Sequence, residues 1–254
     1  MIVDAFMFYN ELNILELRLE LLDKYVDRFV LVESEVTHLG TPKELFFQNN
    51  KDRFSKWLPK ITHIVMTTEE APKDPSPWAR EKYQRECIFR GLEGVPDSAI
   101  VMISDVDEIP DMTKVPFEKL PHAITSVHMW LFEYSLDFLF MNEPWFGTVI
   151  TTLEIVKKFG PNGLRDGRFK FPCFPYSGWH LSSFGDPNMV CNKFETYAHA
   201  RDGPPTQRTP EIWKGFIDKG IHTDGRTELT RRGPEVPLPG SVEVLRRLNL
   251  LKSP

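Results

Sequence analysis

The stretch IVMISDVDEIP, residues 100–110, decides the fold that we predict for this chain. An apolar run of strand length ends in three carboxylates within four residues, and Pro110 is expected to stop the strand. Carboxylates at the tip of a buried strand are costly unless a cation lies between them. Alternation along an extended chain points Asp105 and Asp107 to the same side, about 6–7 Å apart. Such a pair of oxygen donors suits Mg²⁺ or Mn²⁺, and a solvated acidic turn is the alternative interpretation.

Segments before this stretch alternate between strand-like and helix-like patterns. Strands are predicted at 2–8, 28–33, 61–66 and 100–104, helices at 11–26 and 78–92, and a short helix-like piece ends at Phe47. This order is typical of an α/β fold with a doubly wound, mostly parallel sheet. Ligands of such sheets bind outside the carboxyl ends of the strands, where Glu33 and the acidic stretch both fall.

The second half of the chain has a different pattern, rich in β-branched and aromatic residues. Residues 123–140 predict two strands, and 145–151 and 176–182 one each. Residues 158–175 are predicted to be a loop, because the pairs Asn162-Gly163 and Asp166-Gly167 are turn signals. Helices are predicted at 188–199, 210–219 and 241–250. The result is a mixed, aromatic-rich second half.

Composition excludes several classes of protein. A chain of 254 residues with a net charge of -5 has no electrostatic footprint for nucleic acid. Its three cysteines are far apart, which disfavours a disulfide framework or a structural zinc site and favours a reducing compartment. We expect neither a signal peptide nor a membrane span, and therefore a soluble, cytoplasmic protein, for which a bacterial or viral setting is plausible.

Six motifs in a fixed order point to one family. They are FMFYNELNILEL at 6–17, VES with THLG at 32–40, SDVDEIP at 104–110, GWHLSSF at 178–184, KFETYAH at 193–199 and WKGFIDKGIHTDG at 213–225. Through them the chain resembles glycosyltransferase family 17 from the first strand to about residue 225. The resemblance implies a GT-A-like nucleotide-diphospho-sugar transferase fold, an inverting mechanism and a divalent cation, Mn²⁺ or Mg²⁺. N-acetylglucosamine from UDP-N-acetylglucosamine is the donor expected by default, and a glycan is the acceptor.

The resemblance also suggests a metal site. Asp107, and with it Asp105, would hold the cation that stabilises the charge on the leaving diphosphate. Asp105 would in addition contact the donor ribose. His180 would be a third ligand, since imidazole is acceptable to Mn²⁺, although a lone His in an aromatic setting is often a core residue. His199 is a second candidate, but a His at a helix end is also favourable for its charge alone.

Three further side chains are candidates for donor binding. Glu33 could accept hydrogen bonds from a base or ribose, and its alternative is a strand-end carboxylate facing water. Arg85 and Lys193 could pair with diphosphate oxygens, and their alternative is a solvated surface. Glu108 could either join the acidic site or cap backbone amides in the turn before Pro110.

An inverting transferase needs a general base within reach of the acceptor hydroxyl. Three carboxylates in the second half qualify by position: Glu133, Glu154 and Asp186. Asp186 is preferred because it follows the His180 segment closely.

These assignments predict one catalytic domain over residues 1–254. Residues 1–110 would form the nucleotide-sugar-binding half, 111–225 the acceptor and metal half, and 226–254 an extension with one helix. A sugar nucleotidyltransferase is an alternative function, but it would need a glycine-rich loop after the first strand, where the chain has Tyr9-Asn10-Glu11. A non-catalytic glycan-binding module is another, with aromatic residues available at Trp130, Trp145 and Trp179.

Overall fold

The structure, a computed structural model, describes residues 1–116, 123–198 and 209–251. Its strands are β1 (Ile2–Met7), β2 (Arg28–Ser34), β3 (Ile61–Met66), β4 (Ile100–Asp105), β5 (Glu108–Pro110), β6 (Thr125–Glu133), β7 (Phe138–Leu139), β8 (Trp145–Thr152), β9 (Cys173–Phe174), β10 (Gly178–Ser182) and β11 (Thr230–Arg231). Its helices are α1 (Leu12–Leu22), α2 (Phe46–Asn49), α3 (Pro77–Glu86), α4 (Ile88–Gly91), α5 (Leu153–Gly167), α6 (Pro187–Thr196), α7 (Pro210–Lys219) and α8 (Val242–Arg247). Two short 3₁₀ turns, Lys51–Phe54 and Leu58–Lys60, precede β3.

The sheet has a parallel half and a mixed half. Strands β3, β2, β1 and β4 lie side by side in that order and are parallel. Strand β8 runs antiparallel to β4, and β6 antiparallel to β8, so β6 again has the direction of β4. Strand β10 is parallel to β6. The carboxyl ends of β1, β2, β4, β6 and β10 therefore lie at one edge of the sheet, and the predicted α/β fold with a mixed second half is confirmed.

Helices cover both faces of the sheet. Side chains along each strand point alternately to one face and to the other. In β1, Phe6 faces the core that contains α1 and α8, whereas Val3 and Ala5 face the core that contains α4 and α5. This is the doubly wound arrangement expected for a parallel sheet that is buried on both sides. No helix in the described part of the chain is long and apolar enough to cross a membrane.

The loop predicted over residues 158–175 is wrong as far as Gly167. Helix α5 continues through Asn162-Gly163, although its backbone is interrupted at Gly160, which has φ 72° and ψ 155°. Pro161 restarts the helix directly afterwards, a place where its fixed φ is favourable and its missing N–H costs nothing. Helix α5 therefore starts at the amino end of β4 and runs back to the carboxyl edge of the sheet.

Strand structure ends at Pro110, as predicted, but it is divided into β4 and a second short strand. Residues Glu108–Pro110 form β5, which pairs antiparallel with β10 so that His180 lies opposite Glu108 and Gly178 opposite Pro110. A proline is tolerated there because β5 pairs with β10 alone among the described strands, so its other edge needs no ladder hydrogen bond.

A buried arginine fixes the turn between β4 and β5. Arg18 on α1 is fully buried, and its guanidinium pairs with both carboxylate oxygens of Asp4, at 2.6 and 2.8 Å. Its Nη1 also donates to the backbone oxygens of Asp105 (3.1 Å), Val106 (3.1 Å) and Glu108 (2.8 Å). The acidic turn is thus held from behind by a side chain that the first helix provides.

We expect Arg18→Met to destabilise the fold by about 3–5 kcal/mol, because it leaves the Asp4 charge and the turn carbonyls buried without a partner. Urea unfolding midpoints measure this directly. Arg226→Met is the matched control, since Arg226 is exposed and its side chain makes no hydrogen bond or ion pair within the described residues. Equal, small losses in the two variants would contradict the role given to Arg18.

Candidate active site

A cavity of about 490 Å³ lies at the carboxyl edge of the sheet. It is bounded by the ends of β1 and β4, by the loop after β2 and by residues of α3, α5 and α6. Cationic side chains are concentrated in its wall: Lys43, Lys82, Arg85, Arg165, Arg168 and Lys193. Asp105, Asp107 and His180 line it too, so the structure brings these three predicted residues together with Arg85 and Lys193. Its volume is within the range of about 300–1,000 Å³ that small-molecule sites occupy.

Arg165 of α5 neutralises Asp105 and Glu108, the first and last residues of the acidic turn. Its guanidinium donates to both oxygens of Glu108, at 2.6 and 2.7 Å, and to Oδ2 of Asp105 at 2.7 Å. Glu108 is fully buried and also accepts from Trp145 Nε1 (2.8 Å) and from the Asp105 backbone N–H (3.1 Å). Glu108 is therefore a structural carboxylate that caps the turn, which is one of the two roles considered for it.

Arg85 of α3 approaches Asp105 from the other side. Its Nη2 lies 3.5 Å from Asp105 Oδ1 and 2.8 Å from Glu81 Oε1. Burial alone would raise the pKa of Asp105, but Arg165 and then Arg85 outweigh it and hold that pKa below its usual value. Asp105 is thus ionised and already surrounded by cations that the protein itself supplies.

Asp107 has different partners. Its Oδ2 lies 3.4 Å from Lys193 Nζ and 3.5 Å from His180 Nε2, and its side chain is 8% exposed. Burial would raise the pKa of Asp107, yet Lys193 and His180 bring it well below the ordinary range. Asp107 also raises the pKa of Lys193 against the effect of burial. The result is an ionised carboxylate with an ammonium and an imidazole on one side.

Arg165 and Arg168 are cavity residues that the sequence analysis missed. Both lie in the segment that the turn signals assigned to a loop. Pro161 was the available signal, because a proline often marks the first turn of a helix. Arg168 donates to the Arg165 backbone oxygen (2.8 Å) and lies over the Phe169 ring, and no carboxylate of a described residue lies within 4 Å of its guanidinium. Arg168 is therefore the cavity arginine best placed to meet an anionic ligand.

Glu33 does not line the cavity. It is fully buried, and its carboxylate accepts the backbone N–H groups of Phe47 (2.9 Å) and Gln48 (3.3 Å) at the start of α2. His63 Nε2 lies 3.2 Å from the same carboxylate. Both carboxylate oxygens of Glu33 therefore already have partners within the fold, and we do not assign Glu33 to the donor site.

The three candidate bases lie in different parts of the fold. Glu154 is exposed in the first turn of α5, and its backbone N–H donates to the backbone oxygen of Asp97. It therefore lies at the opposite edge of the sheet. Asp186 caps α6: one of its oxygens accepts the N–H groups of Asn188 (2.8 Å) and Met189 (3.0 Å). Neither of these carboxylates lines the cavity described above.

Glu133 lies at the carboxyl end of β6, at the same edge as Asp105, but beneath the surface. It accepts from the Thr223 backbone N–H at 3.1 Å, and His222 Nε2 lies 3.5 Å from its other oxygen. Burial raises the pKa of Glu133 to about 7, because the hydrogen bonds from Thr223 compensate only in part. Asp224, which lies 3.4 Å from His222 Nδ1, adds to the increase. Glu133 is 3% exposed and outside the cavity wall.

A divalent cation was expected here, and the residues fit one in part. Among the described residues no group of three His, Cys, Asp or Glu side chains is placed to hold a metal ion. Asp107 Oδ2 and His180 Nε2 nevertheless converge at 3.5 Å on the cavity wall. His180 Nδ1 is buried without a hydrogen-bond partner, so no second contact fixes which ring nitrogen carries the proton. A carboxylate and an imidazole suit a cation that takes its remaining ligands from water and substrate phosphates. His199 lies outside the described residues.

Comparison with known proteins identifies the family. Residues 1–203 match glycosyltransferase family 17, and the chain belongs to that family, which confirms the resemblance inferred from its motifs. The rat and human β-1,4-mannosyl-glycoprotein 4-β-N-acetylglucosaminyltransferases are each 24% identical to it over 183 residues. These matches cover 68% of this chain and 34% of either relative, so the chain spans about a third of the length of these relatives.

Similarity to solved structures is weaker. The 2-C-methyl-D-erythritol 4-phosphate cytidylyltransferase of Francisella tularensis aligns with a TM-score of 0.42 and 9% identity. The alignment covers 77% of this chain and 100% of that structure. A similarity at this level says nothing about the chemistry of either protein.

The raised pKa of Glu133 predicts a specific pH dependence of stability. The pKa of Glu133 is about 7 in the folded protein and lower in the unfolded chain, so protonation favours the folded state. This contribution to the free energy of unfolding is complete below the pKa of the unfolded chain and is lost as the pH rises through 7. As the pH rises from 4.5 to 8, we expect the free energy of unfolding of Glu133→Gln to increase by up to about 3 kcal/mol relative to that of the wild type. Urea midpoints across this range measure the difference, with Glu228→Gln, an exposed carboxylate of the same region, as the control. Parallel curves for wild type and Glu133→Gln would contradict the assignment.

Proposed function

We propose that this chain transfers N-acetylglucosamine from a uridine diphosphate donor to a carbohydrate hydroxyl, with inversion at the anomeric carbon and with a divalent cation. Membership of glycosyltransferase family 17 supports the class of reaction. The donor sugar and a mannoside acceptor are suggested by the names of the rat and human relatives. The observation that carries the proposal is one cavity in which two ionised aspartates and several cations meet at the carboxyl edge of a parallel sheet.

The cations in this cavity suit a diphosphate. Arg168 has no carboxylate partner among the described residues, so pairing with phosphate oxygens would break no ion pair seen there. Lys193 and Arg85 lie on the Asp107 and Asp105 sides of the acidic turn and can contact a diphosphate placed against it. Charge on the leaving group increases as the bond to the anomeric carbon breaks. Fixed cations therefore stabilise the transition state more than the bound donor.

Asp107 and His180 are the residues that would hold the cation. The structure favours Asp107 over Asp105, because two arginines already surround Asp105. When bound, a divalent ion would act as a Lewis acid on the diphosphate oxygens. Trp145 stacks on the His180 ring at 4.4 Å between centroids and donates to Glu108, so it fixes the imidazole against the acidic turn.

The nucleoside end of the donor would lie between β1 and the loop after β2. Phe8, Tyr9, Thr37 and His38 form this part of the wall. The Tyr9 ring is held by an edge contact with Phe46 and by the Lys43 ammonium over its face at 5.1 Å. An aromatic ring beside hydroxyl and imidazole groups can pack on a base while the polar groups bond its edge.

The two alternative functions have less support. The turn after β1, which reads Tyr9-Asn10-Glu11, lacks the glycines that a triphosphate-cradling loop of a nucleotidyltransferase would need. A glycan-binding module would present exposed aromatic faces. Trp179 instead is 7% exposed and donates its indole N–H to Pro237, and Trp145 is engaged by His180 and Glu108.

A thermal-shift panel of UDP, UDP-N-acetylglucosamine, GDP and CDP, each with and without Mn²⁺, tests the proposal. We expect the uridine series to stabilise the protein only with Mn²⁺, by about 2.7 kcal/mol at a ligand concentration of 100 times Kd. Asp107→Asn should lose this metal-dependent stabilisation. Asp97→Asn, at the opposite edge of the sheet, should keep it. No stabilisation of the wild type by any of the four nucleotides would overturn the proposal.

Arg168 provides a second, independent prediction. Arg168→Gln should weaken binding of UDP by roughly 10- to 100-fold, the effect of losing a hydrogen bond to a charged group of about 1.5–3 kcal/mol, and should change binding of uridine little. Isothermal titration of both ligands measures the difference. Lys170→Gln is the matched control, because Lys170 is exposed nearby and its side chain makes no hydrogen bond or ion pair within the described residues. A similar loss for uridine and UDP would place the diphosphate elsewhere.

A further inference from the structure

A second cavity, of about 450 Å³, adjoins the donor cavity. It lies between the start of α1, the turn after β6 and the loop that leads from β10 into α6. Glu11 is the residue that lines both cavities within the described part of the chain. Its side chain therefore lies at the junction of the two cavities.

The wall of the second cavity has the chemistry that a sugar needs. Asn10 and Ser135 offer amide and hydroxyl groups, which can both donate to and accept from sugar hydroxyls. Asn13 can donate its amide N–H groups, since its Oδ1 accepts from Arg53 Nη2 at 2.7 Å. Phe184 and Met189 supply apolar surface for the face of a pyranose ring. Two charged residues, Arg53 and Asp186, also line it, but Arg53 pairs with Glu16 and Asp186 caps α6. The second cavity thus has fewer cations than the donor cavity, so the two cavities suit different ligands.

The backbone around the second cavity supports a binding role. Tyr134 and Asn249 line it with φ values of 65° and 55°, in the left-handed region that non-glycine residues rarely adopt. Such strain persists only where the surrounding structure imposes it, and it is concentrated at ligand sites.

Glu11 is not used as a helix cap. It occupies the N-cap position of α1, yet its side chain makes no capping hydrogen bond, and its Oε2 accepts from the neighbouring Asn10 N–H at 3.1 Å. Asp186 at the start of α6 is the opposite case, because it makes two capping bonds. Of the two carboxylates that line the second cavity, Glu11 is therefore the one free to act on a ligand.

The charges around Glu11 agree with this location. Burial raises the pKa of Glu11, the Lys193 ammonium opposes the increase and Asp107 adds to it. Glu11 therefore interacts electrostatically with the same residues that face the donor diphosphate.

We propose that the second cavity binds the acceptor sugar and that Glu11 accepts the proton of its attacking hydroxyl, an inference that rests on the proposed function. The hydroxyl oxygen forms a bond to the anomeric carbon as its proton passes to a Glu11 oxygen. The bond from that carbon to the diphosphate breaks, and the leaving nucleoside diphosphate takes the electron pair. Glu11 then releases its proton to water. Asp186, Glu133 and Glu154 have no part in this step.

The variant Glu11→Gln shows whether Glu11 acts as a general base or instead binds the donor. Glu69→Gln, on an exposed loop, is the matched control. The assay measures UDP release from UDP-N-acetylglucosamine with Mn²⁺ and a panel of methyl glycosides of mannose, galactose, glucose and N-acetylglucosamine. We expect Glu11→Gln to lower kcat by about 10²–10⁴-fold, the usual size of general-base catalysis, with unchanged stabilisation by UDP. Loss of UDP binding, or transfer at the wild-type rate, would overturn the role of Glu11.

Met189→Trp tests the cavity itself, because Met189 is 37% exposed on its wall and can accept a larger side chain. The variant should raise KM for the glycoside by about tenfold or more, leaving KM for UDP-N-acetylglucosamine unchanged. Ile212→Trp on α7, which is 43% exposed and lines neither cavity, is the control. If no glycoside increases UDP release by the wild type, the acceptor assignment fails. Stabilisation by UDP and Mn²⁺ then shows separately whether the proposed function survives.

Discussion

The buried acidic turn between β4 and β5 needs cations on both sides, and the rest of the site depends on how the chain supplies them. From behind, Arg18 holds the backbone oxygens of Asp105, Val106 and Glu108 while it pairs with Asp4. From the front, Arg165 binds the carboxylates of Asp105 and Glu108. Each ion is thereby paired and hydrogen-bonded, which is the condition under which charges can be buried. Two helices, α1 and α5, are required to place these two arginines.

This arrangement gives the two aspartates of the turn different roles. Asp105 is surrounded by Arg165 and Arg85, so its charge is used within the protein. Among the described residues, Asp107 forms ion pairs with Lys193 and His180, side chains that a cation or a diphosphate can rearrange. In the proposed reaction Asp107 therefore contacts the cation and Asp105 organises the arginines. A sequence pattern of two aspartates does not distinguish these roles, because they are set by residues from distant parts of the chain.

The strands of the parallel half could be predicted from sequence, and β4 with its acidic tip was the strongest signal. Asp105, Asp107, His180, Arg85 and Lys193 do meet in one cavity. Arg165 and Arg168 were missed because the asparagine-glycine and aspartate-glycine pairs of α5 have the composition of turns. Packing against α3 overrides this local preference, since the Asn162 side chain donates to Lys82 and Glu86. Glu33 could not be placed, since its partners are backbone groups that fold against it from α2.

The central claim is that the acidic turn, with a cation on Asp107 and His180, receives the diphosphate of the donor. A crystal structure of the protein with UDP-N-acetylglucosamine and Mn²⁺, with anomalous data collected for manganese, tests it most directly. The account predicts an anomalous peak bonded to Asp107 and His180, with the diphosphate bridging it to Arg168. A nucleotide bound at another surface, with Asp107 still paired to Lys193 and no manganese beside it, would contradict the account.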